Sequence, residues 1–590
     1  MSDHSIPAAI KKLVSLLSGQ QKLQLIKMMS LSFCTSILEM ITATMIVVLA
    51  QVINKPTSGQ KYLSLIGWDN LSPSHIILTF ALSMGLIYLV KNCLAVFEVI
   101  YQHFSIQRIN YRFKKTLLQR YAQVDYNYYL TRNSSQGYAV ISSDADLTFS
   151  NGMVSLTMIF SETVIFLSLI AMIIFIDPRL AAMIFGIGAI LGIILKKFLF
   201  PLFYRWGSKI QEYALHGEKN LLQFFHAFKE IVLIGKRDVF IDAYHFYSRK
   251  RSKIQAIQNV TNILPRMVTE LLFVTLFILT ITYFCLGNED PQKLVGILGG
   301  YLYVGFRVMP GLNRIITQLN TFKSMIPCID RVYQEYHFTS EKEHIVDCPD
   351  FQFNHNIILK NVSFRYLKAH QDALFGINLA IKKGECVGIT GETGSGKSTL
   401  SDMILGLLKP REGTIAIDDQ YPVNSFQWHA CIGYVQQSIY LIDDTIKANI
   451  AFGVPEEKID YTKLAQAING AQLNALIDQL PQGVETIVGE RGMRLSGGER
   501  QRIAVARALY RDPKVFIFDE ATSALDNDTE TRLMETIDTI RQSKRTIIII
   551  AHRLTTLKNC DRIIVMKNGR IDKILSYEQL IANDNQRAQI

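Results

Sequence analysis

Apolar positions along the chain fall into two regimes. Up to about residue 330 they gather in long runs without a polar face of normal width. Beyond it they alternate as in a soluble α/β domain. Six runs have the length a bilayer crossing needs, about 17–25 residues: Leu31–Ile53, Ile76–Ile100, Val154–Ile176, Leu180–Leu199, Val268–Leu286 and Leu294–Val308. The third and fourth are joined only by Asp177-Pro178-Arg179, which predicts a tight hairpin. The polar stretches 101–153 and 200–267 keep a helical period, so the spans are expected to run on past the membrane. Short helices should turn these extensions at their tips, at Asp125-Tyr126-Asn127-Tyr128-Tyr129-Leu130 and at Asn220-Leu221-Leu222-Gln223-Phe224-Phe225. Aromatic tips suit docking into another domain; plain surface aromatics are the alternative. The organisation expected is a membrane domain over 1–336, a polar linker over 337–356 and a soluble domain over 357–590.

Composition changes this picture only in detail. Hydrophobic residues make up 49% of the 590 residues and the mean hydropathy is +0.17, high for a soluble protein. The formal charge of +11 could belong to a nucleic-acid binder, but its basic residues cluster between apolar runs. Arg108, Arg112, Lys114, Lys115, Arg120 and Arg132 fall in the first polar stretch, and Arg205, Lys209, Lys236, Arg237, Arg249, Lys250 and Arg251 in the second. The opposite loops hold only Lys55, Lys61, Arg179 and Lys293. The positive-inside rule then places both termini, both long loops and the soluble domain in the cytoplasm, around a multi-pass cytoplasmic (inner) membrane protein that binds no nucleic acid. Eight cysteines lack any CxxC or metal spacing and read as reduced thiols. No signal peptide is expected at the N-terminus. The stretch Ile10–Leu17 is basic and amphipathic, fit to lie on the inner membrane surface, with a frayed polar tail as the alternative.

The soluble part carries the chemistry. Gly391-Glu392-Thr393-Gly394-Ser395-Gly396-Lys397-Ser398-Thr399 has the form G-x-x-x-x-G-K-[ST], after an apolar strand and before an amphipathic helix. Its glycines let backbone N–H groups approach phosphate oxygens, Lys397 reaches the β- and γ-phosphates, and Ser398 sits on Mg²⁺. A chance Gly-rich turn is the competing reading, and the motifs downstream of the loop remove most of it. Val515–Glu520 is an apolar strand ending in two carboxylates, Asp519 to hold Mg²⁺ and Glu520 to polarise water as general base. Leu495-Ser496-Gly497-Gly498-Glu499 opens a helix and forms a second anion cradle. Gln437 follows the strand Ile432–Val435, and His552 follows Thr546–Ala551 within reach of a γ-phosphate. Tyr366, ahead of the P-loop, can stack on a base.

Taken together, these motifs resemble those of ABC exporter half-transporters, in which a membrane α-helical domain of six spans is followed by an α/β P-loop ATPase domain. The resemblance covers nearly the whole chain. It identifies 391–399 as the Walker A loop, Gln437 as the Q-loop residue and a Mg²⁺ ligand, Leu495–Glu499 as the signature and 515–520 as Walker B. It also identifies Ser523–Asp526 as the D-loop, His552 as the switch, Tyr366 as the A-loop aromatic and Val488–Gly492 as the X-loop that touches the tips. Glu499 stands where the family usually has Gln, a change active relatives tolerate. The resemblance implies ATP and Mg²⁺ as cofactors, catalysis by Glu520, Gln437 and His552, and nucleotide held by the P-loop together with Ser496, Gly497, Gly498 and Glu499 of a second chain. A homodimer is the simplest completion and a heterodimer the alternative.

For the cargo, Phe306–Thr317, Ile37–Met40 and Leu264–Arg266 are similar to bacterial flippases of lipid-linked oligosaccharides serving N-glycosylation. No peptidase domain is expected ahead of the first span, which disfavours leader-processing peptide export. Lys91, Arg266, Arg307 and Arg314 are expected to line a basic cavity for a pyrophosphate. Internal pairing with Glu39, Glu98, Glu162 and Glu270, or snorkelling, is the alternative. Export of other lipids, drugs or peptides, and an ATP-gated channel or regulator, stay open as other functions.

Overall fold

The computed structural model describes residues 5–54, 59–60, 63, 72–132, 134–176, 193, 195–286, 291–339, 345–367, 369–521 and 527–588. It divides into two compact units. The first comprises 1–124 and 133–342; the second comprises 343–590 together with the short segment 125–132.

The first unit is helical. Its long helices are Gly19–Asn54, Pro73–Tyr121, Val154–Ile176, Phe200–His226, Arg237–Leu286 and Pro291–Phe338. Gly19–Ile46, Pro73–Tyr121 and Gln136–Ser168 are long and apolar enough to cross a membrane. The fourth expected span and its hairpin turn lie almost wholly outside the described residues. Pro73–Tyr121 has 49 residues; at about 1.5 Å per residue it is far longer than a hydrocarbon core of about 30 Å. Its Leu82, Leu86, Leu89 and Val96 stay exposed, as a lipid-facing side requires.

Toward its polar end this bundle is held by close contacts. Gly207 lies so near the helix Pro291–Phe338 that a Cβ there would meet the Ser324 carbonyl oxygen at 2.2 Å. Buried Asp144 accepts from Arg331 Nη2 at 2.7 Å, and the buried Cys328 thiol is turned to the same carboxylate. Two π-helical stretches, Val140–Asp144 and Leu147–Met153, flank the pair. Asp144→Ala strands the guanidinium, and because Arg331 keeps some solvent contact the expected loss is about 3 kcal/mol, the low end for broken buried pairs. A fall in the apparent Tm of the purified protein checks this.

The N-terminal stretch is a helix, Ile6–Ser15, with Ser5 as its N-cap. Ala9 and Leu13 are buried and Lys12 pairs with Asp330 at 2.8 Å, so its inner edge is covered by protein instead of being free for lipid. The first tip forms where expected: Asp125 caps Tyr126–Thr131 by accepting from the Asn127 N–H at 2.9 Å. The second does not. The chain stays helical through Asn220–Phe225 and breaks at Ala227 (φ −102°, ψ 22°), and the short helix is Phe228–Ile234. Leu221 to Phe225 are adequate helix formers and contain no stop; the stop comes from Gly235, left-handed at φ +68°.

The second unit holds two sheets. One is antiparallel, ordered β2-β1-β4-β5, from β1 (Asn356–Phe364), β2 (Leu374–Lys382), β4 (Glu412–Ile417) and β5 (Tyr421–Pro422). The other is ordered β10-β9-β3-β8-β7-β6. Its members are β3 (Cys386–Gly391), β6 (Ile432–Val435), β7 (Val515–Asp519), β8 (Thr546–Ile550), β9 (Arg562–Lys567) and β10 (Arg570–Leu575). All its pairings are parallel except β9 with β10. Parallel strands covered on both faces need continuous apolar sequence, and β7 (VFIFD) and β8 (TIIII) are buried at every position. The expected linker is partly absorbed here. Phe353 is in the core against Trp428, ring centroids 5.9 Å apart. Segment 125–132 belongs to this unit: Tyr126 packs against its core and Asp125 lies 3.5 Å from Lys409 Nζ.

Candidate nucleotide site

Parallel order brings the C-terminal ends of β3, β7 and β8 to one edge, where such sheets bind ligands. β3 leads into the loop 391–396 and the helix Lys397–Ile404. Gly391 has φ +149° and a Cβ would meet Met566 O at 2.3 Å; Gly396 has φ +100° and would meet Ala373 O at 2.8 Å. Side chains are excluded from both, which keeps the loop's N–H groups approachable. Glu392, Thr393, Gly394 and Ser398 are open to solvent, while Ser395, Lys397 and Thr399 are buried. Lys397 Nζ donates to Gly391 O and Glu392 O, both at 3.0 Å, and so spans the loop. Burial pulls its ammonium below the usual lysine range, against the attraction of Glu520 and Asp519. Tyr366 lies beside the same helix, its hydroxyl 3.0 Å from Thr399 Oγ1 and its ring 4.9 Å from that of Phe364.

β7 ends in Asp519, and Glu520 follows in a left-handed conformation at φ +49°. This is a strained state for a non-glycine residue. It is pinned by the Glu520 N–H donating to Ile550 O at 2.9 Å. Its carboxylate meets both residues expected to work with it. Gln437 Nε2 donates to Oε2 at 2.5 Å and His552 Nε2 lies 2.8 Å from Oε1. Glu520, Gln437 and His552, far apart in sequence, are thus one cluster. Asp519 is 7% exposed, and burial raises its carboxyl above the ordinary range. Its Oδ1 is buried with no partner, and the neighbouring Asp402 is pushed up to about 6, by burial first and Asp519 second.

An orphaned carboxylate oxygen beside a phosphate-binding loop fits a hard divalent cation, so these residues suit Mg²⁺. Asp519, the Ser398 hydroxyl and the Gln437 amide oxygen are the groups that would hold it.

Ser496 is the N-cap of the helix Gly497–Tyr510. Its Oγ accepts from the Glu499 N–H at 3.3 Å, and its own N–H donates to Glu499 Oε2 at 2.7 Å. This reciprocal capping box satisfies two helix-end donors, and a glutamate serves it as well as a glutamine. It gives the Glu499 departure a structural reason. The D-loop Ser523–Asp526 lies outside the described residues.

Three of the four cations expected to line a basic cavity pair with carboxylates. Lys91 Nζ is 3.0 Å from Glu39 Oε2, both nearly buried, and lies over the Tyr88 ring at 4.5 Å. Arg314 grips Glu162 with two nitrogens, Nε to Oε1 at 2.5 Å and Nη2 to Oε2 at 3.2 Å. Arg266 pairs with Glu270 at 2.8 Å along one exposed helix face. An unpaired cation among apolar helices is costly, and carboxylates on neighbouring helices or turns relieve that cost. The Arg307 side chain lies outside what is described. Missed altogether in the sequence was Tyr434, which donates to Asp519 Oδ2 at 3.2 Å.

A P-loop ATPase domain that follows membrane-length helices in the sequence defines an ABC transporter, and the chain belongs to that family. The ABC transporter family model matches residues 374–523. The chain is 30% identical to the ATP-dependent lipid A-core flippase 2 of Colwellia psychrerythraea over 79% of each protein. It is 41% identical over 233 residues to the ATP-dependent lipid A-core flippase of Cupriavidus metallidurans, a match spanning 39% of the length of each. The fold is that of a bacterial Atm1-family ABC exporter solved with ATP bound: TM-score 0.76 at 23% identity, over 96% of this chain and 97% of that one.

Proposed function

We propose that two copies of this chain form an ATP-driven flippase that moves a lipid substrate across the cytoplasmic membrane by alternating access, with termini and ATPase domains on the cytoplasmic side. The observation that carries this is the Glu520 carboxylate held between Gln437 and His552 at the edge of a P-loop. A carboxylate oriented from two sides is suited to draw a proton from an attacking water. Lys397 and the loop N–H groups bind and orient the phosphates, and His552 is placed to report the γ-phosphate to Glu520. Tyr366 supports the base. The signature residues Ser496, Gly497, Gly498 and Glu499 complete the site of the other copy, so nucleotide joins the two ATPase domains and hydrolysis separates them. Tyr126 packed on the ATPase core offers the path by which that motion reaches the helices.

For the cargo, relatives named lipid A-core flippases support a lipid substrate. The short patches at 37–40, 264–266 and 306–317 favour a polyprenyl-pyrophosphate oligosaccharide within that class. Because Lys91, Arg266 and Arg314 are each paired with a carboxylate, the pyrophosphate contact falls first to Arg307, with Arg314, whose side chain is 51% exposed, able to join it by leaving Glu162. The same pairing removes much of the field that would repel cationic drugs, and this supports drug or other lipid export as the second reading. ATPase activity of the reconstituted protein against polyprenyl-pyrophosphate glycans, lipid A-core, phospholipids and lipophilic cations separates them. Stimulation by the pyrophosphate glycan alone, lost in Arg307→Ala with basal ATPase retained, is the expected result; stimulation by cations alone overturns it.

Lys91 gives a separate test. As half of a structural pair, Lys91→Met leaves Glu39 buried and lowers the yield of folded protein, and adding Glu39→Gln restores it. Folded yield by fluorescence-detected size exclusion reads this directly. Failure of the double variant to recover would return Lys91 to the cargo site.

A further inference from the structure

The two oxygens of Asp519 are not equivalent. Oδ2 accepts from the Tyr434 hydroxyl at 3.2 Å, while Oδ1 is buried and unpartnered. Tyr434 comes from β6, where it stands opposite Ile517 on β7. The parallel register of the two strands therefore delivers its ring beside the end of β7. A carboxylate oxygen can only accept here, so the Tyr434 hydroxyl is the donor of this bond.

An aspartate carboxylate rotates freely about its last torsion, which has only a broad, two-fold preference. A metal ligand needs the opposite, one oxygen aimed and held. Partners that bind the remaining oxygen supply this, and the metal site suffers when they are removed. No motif in the chain assigns such a partner to Asp519, and among the described residues Tyr434 is the side chain that donates to it.

We propose that Tyr434 is a positioning residue for the Mg²⁺ site: by holding Asp519 Oδ2 it fixes the carboxylate so that Oδ1 alone is presented to the cation. This rests on the reading of Asp519 as a metal ligand. Loss of the hydroxyl leaves the carboxylate free to turn. Phosphate binding by the P-loop does not pass through Tyr434 and stays as it was.

The test uses the full-length protein in nanodiscs, with Glu520→Gln as background to stop hydrolysis and Mn²⁺ as the probe. Two quantities are measured: the Mn²⁺ concentration that half-saturates the ATP-bound protein, read by electron paramagnetic resonance, and ATP affinity in the presence of a chelator. Tyr434→Phe is expected to raise the first by roughly 10–100-fold, the usual range for removing a partner that orients a metal ligand. It should leave the second within about two-fold, a split that a merely structural role would not produce. Asp519→Asn is run in parallel. If Asp519→Asn raises the Mn²⁺ requirement and Tyr434→Phe does not, the proposal for Tyr434 is wrong and the ligand reading stands. If Asp519→Asn has no effect, the ligand reading itself fails. Equal loss of metal-free ATP binding in Tyr434→Phe would make the residue a scaffold of the loop and overturn its assignment to the metal.

Discussion

Glu520→Gln is expected to keep ATP binding and to lower hydrolysis by about 10²–10⁴-fold, the range over which a positioned general base acts. The amide has nearly the shape of the carboxylate but cannot take a proton from water. Its φ of +49° is set by the end of β7 and by the bond to Ile550 O, neither of which the change touches. The phosphate cradle is built from 391–399, a different strand end, and stays intact. Nucleotide therefore remains bound, and paired ATPase domains accumulate. Phosphate release, nucleotide binding and inter-chain cross-linking measured on one preparation give the signature of slow release, tight binding and closed pairs. Turnover near the parent's would remove Glu520 from the chemistry.

Lys397→Ala is expected to fail at the earlier step. The ammonium spans the loop between two carbonyl oxygens and is the cation set within the phosphate-binding loop itself. Hydrogen bonds to charged groups contribute about 1.5–3 kcal/mol each, so losing one weakens ATP binding by roughly 10–100-fold. A titration with fluorescent ATP reads this directly. The two variants thus part cleanly, one binding without turning over and the other scarcely binding. Hydrolysis lost with unchanged ATP affinity in Lys397→Ala would contradict the role given to that side chain.

What could be read in the sequence differs from what could not in a physically definite way. The P-loop, the paired acids after β7 and the signature are contiguous, so local pattern alone locates them. That Gln437 and His552 act with Glu520 is what the resemblance to ABC exporters implies, and the parallel sheet then gathers their strand ends at one edge. Tyr434 was invisible because its partner is 85 residues away and their meeting depends on β6 lying beside β7. The Lys91–Glu39 and Arg314–Glu162 pairs are of the same kind. Each residue stands out in the sequence as a charge within an apolar run, but which carboxylate faces which cation is fixed by helix rotation and register. The second tip was misplaced because a helical period runs smoothly through Asn220–Phe225, and the decisive signal was the single Gly235 beyond it.

ATP-dependent movement of lipid in sealed proteoliposomes tests the central claim most directly. With ATPase domains facing outward and Mg²⁺-ATP added, a polyprenyl-pyrophosphate oligosaccharide or a lipid A-core glycolipid in the outer leaflet should become protected from an external glycan-modifying enzyme. The protection should vanish in Glu520→Gln. Full hydrolysis by the parent protein with no such protection for either glycolipid would contradict the account.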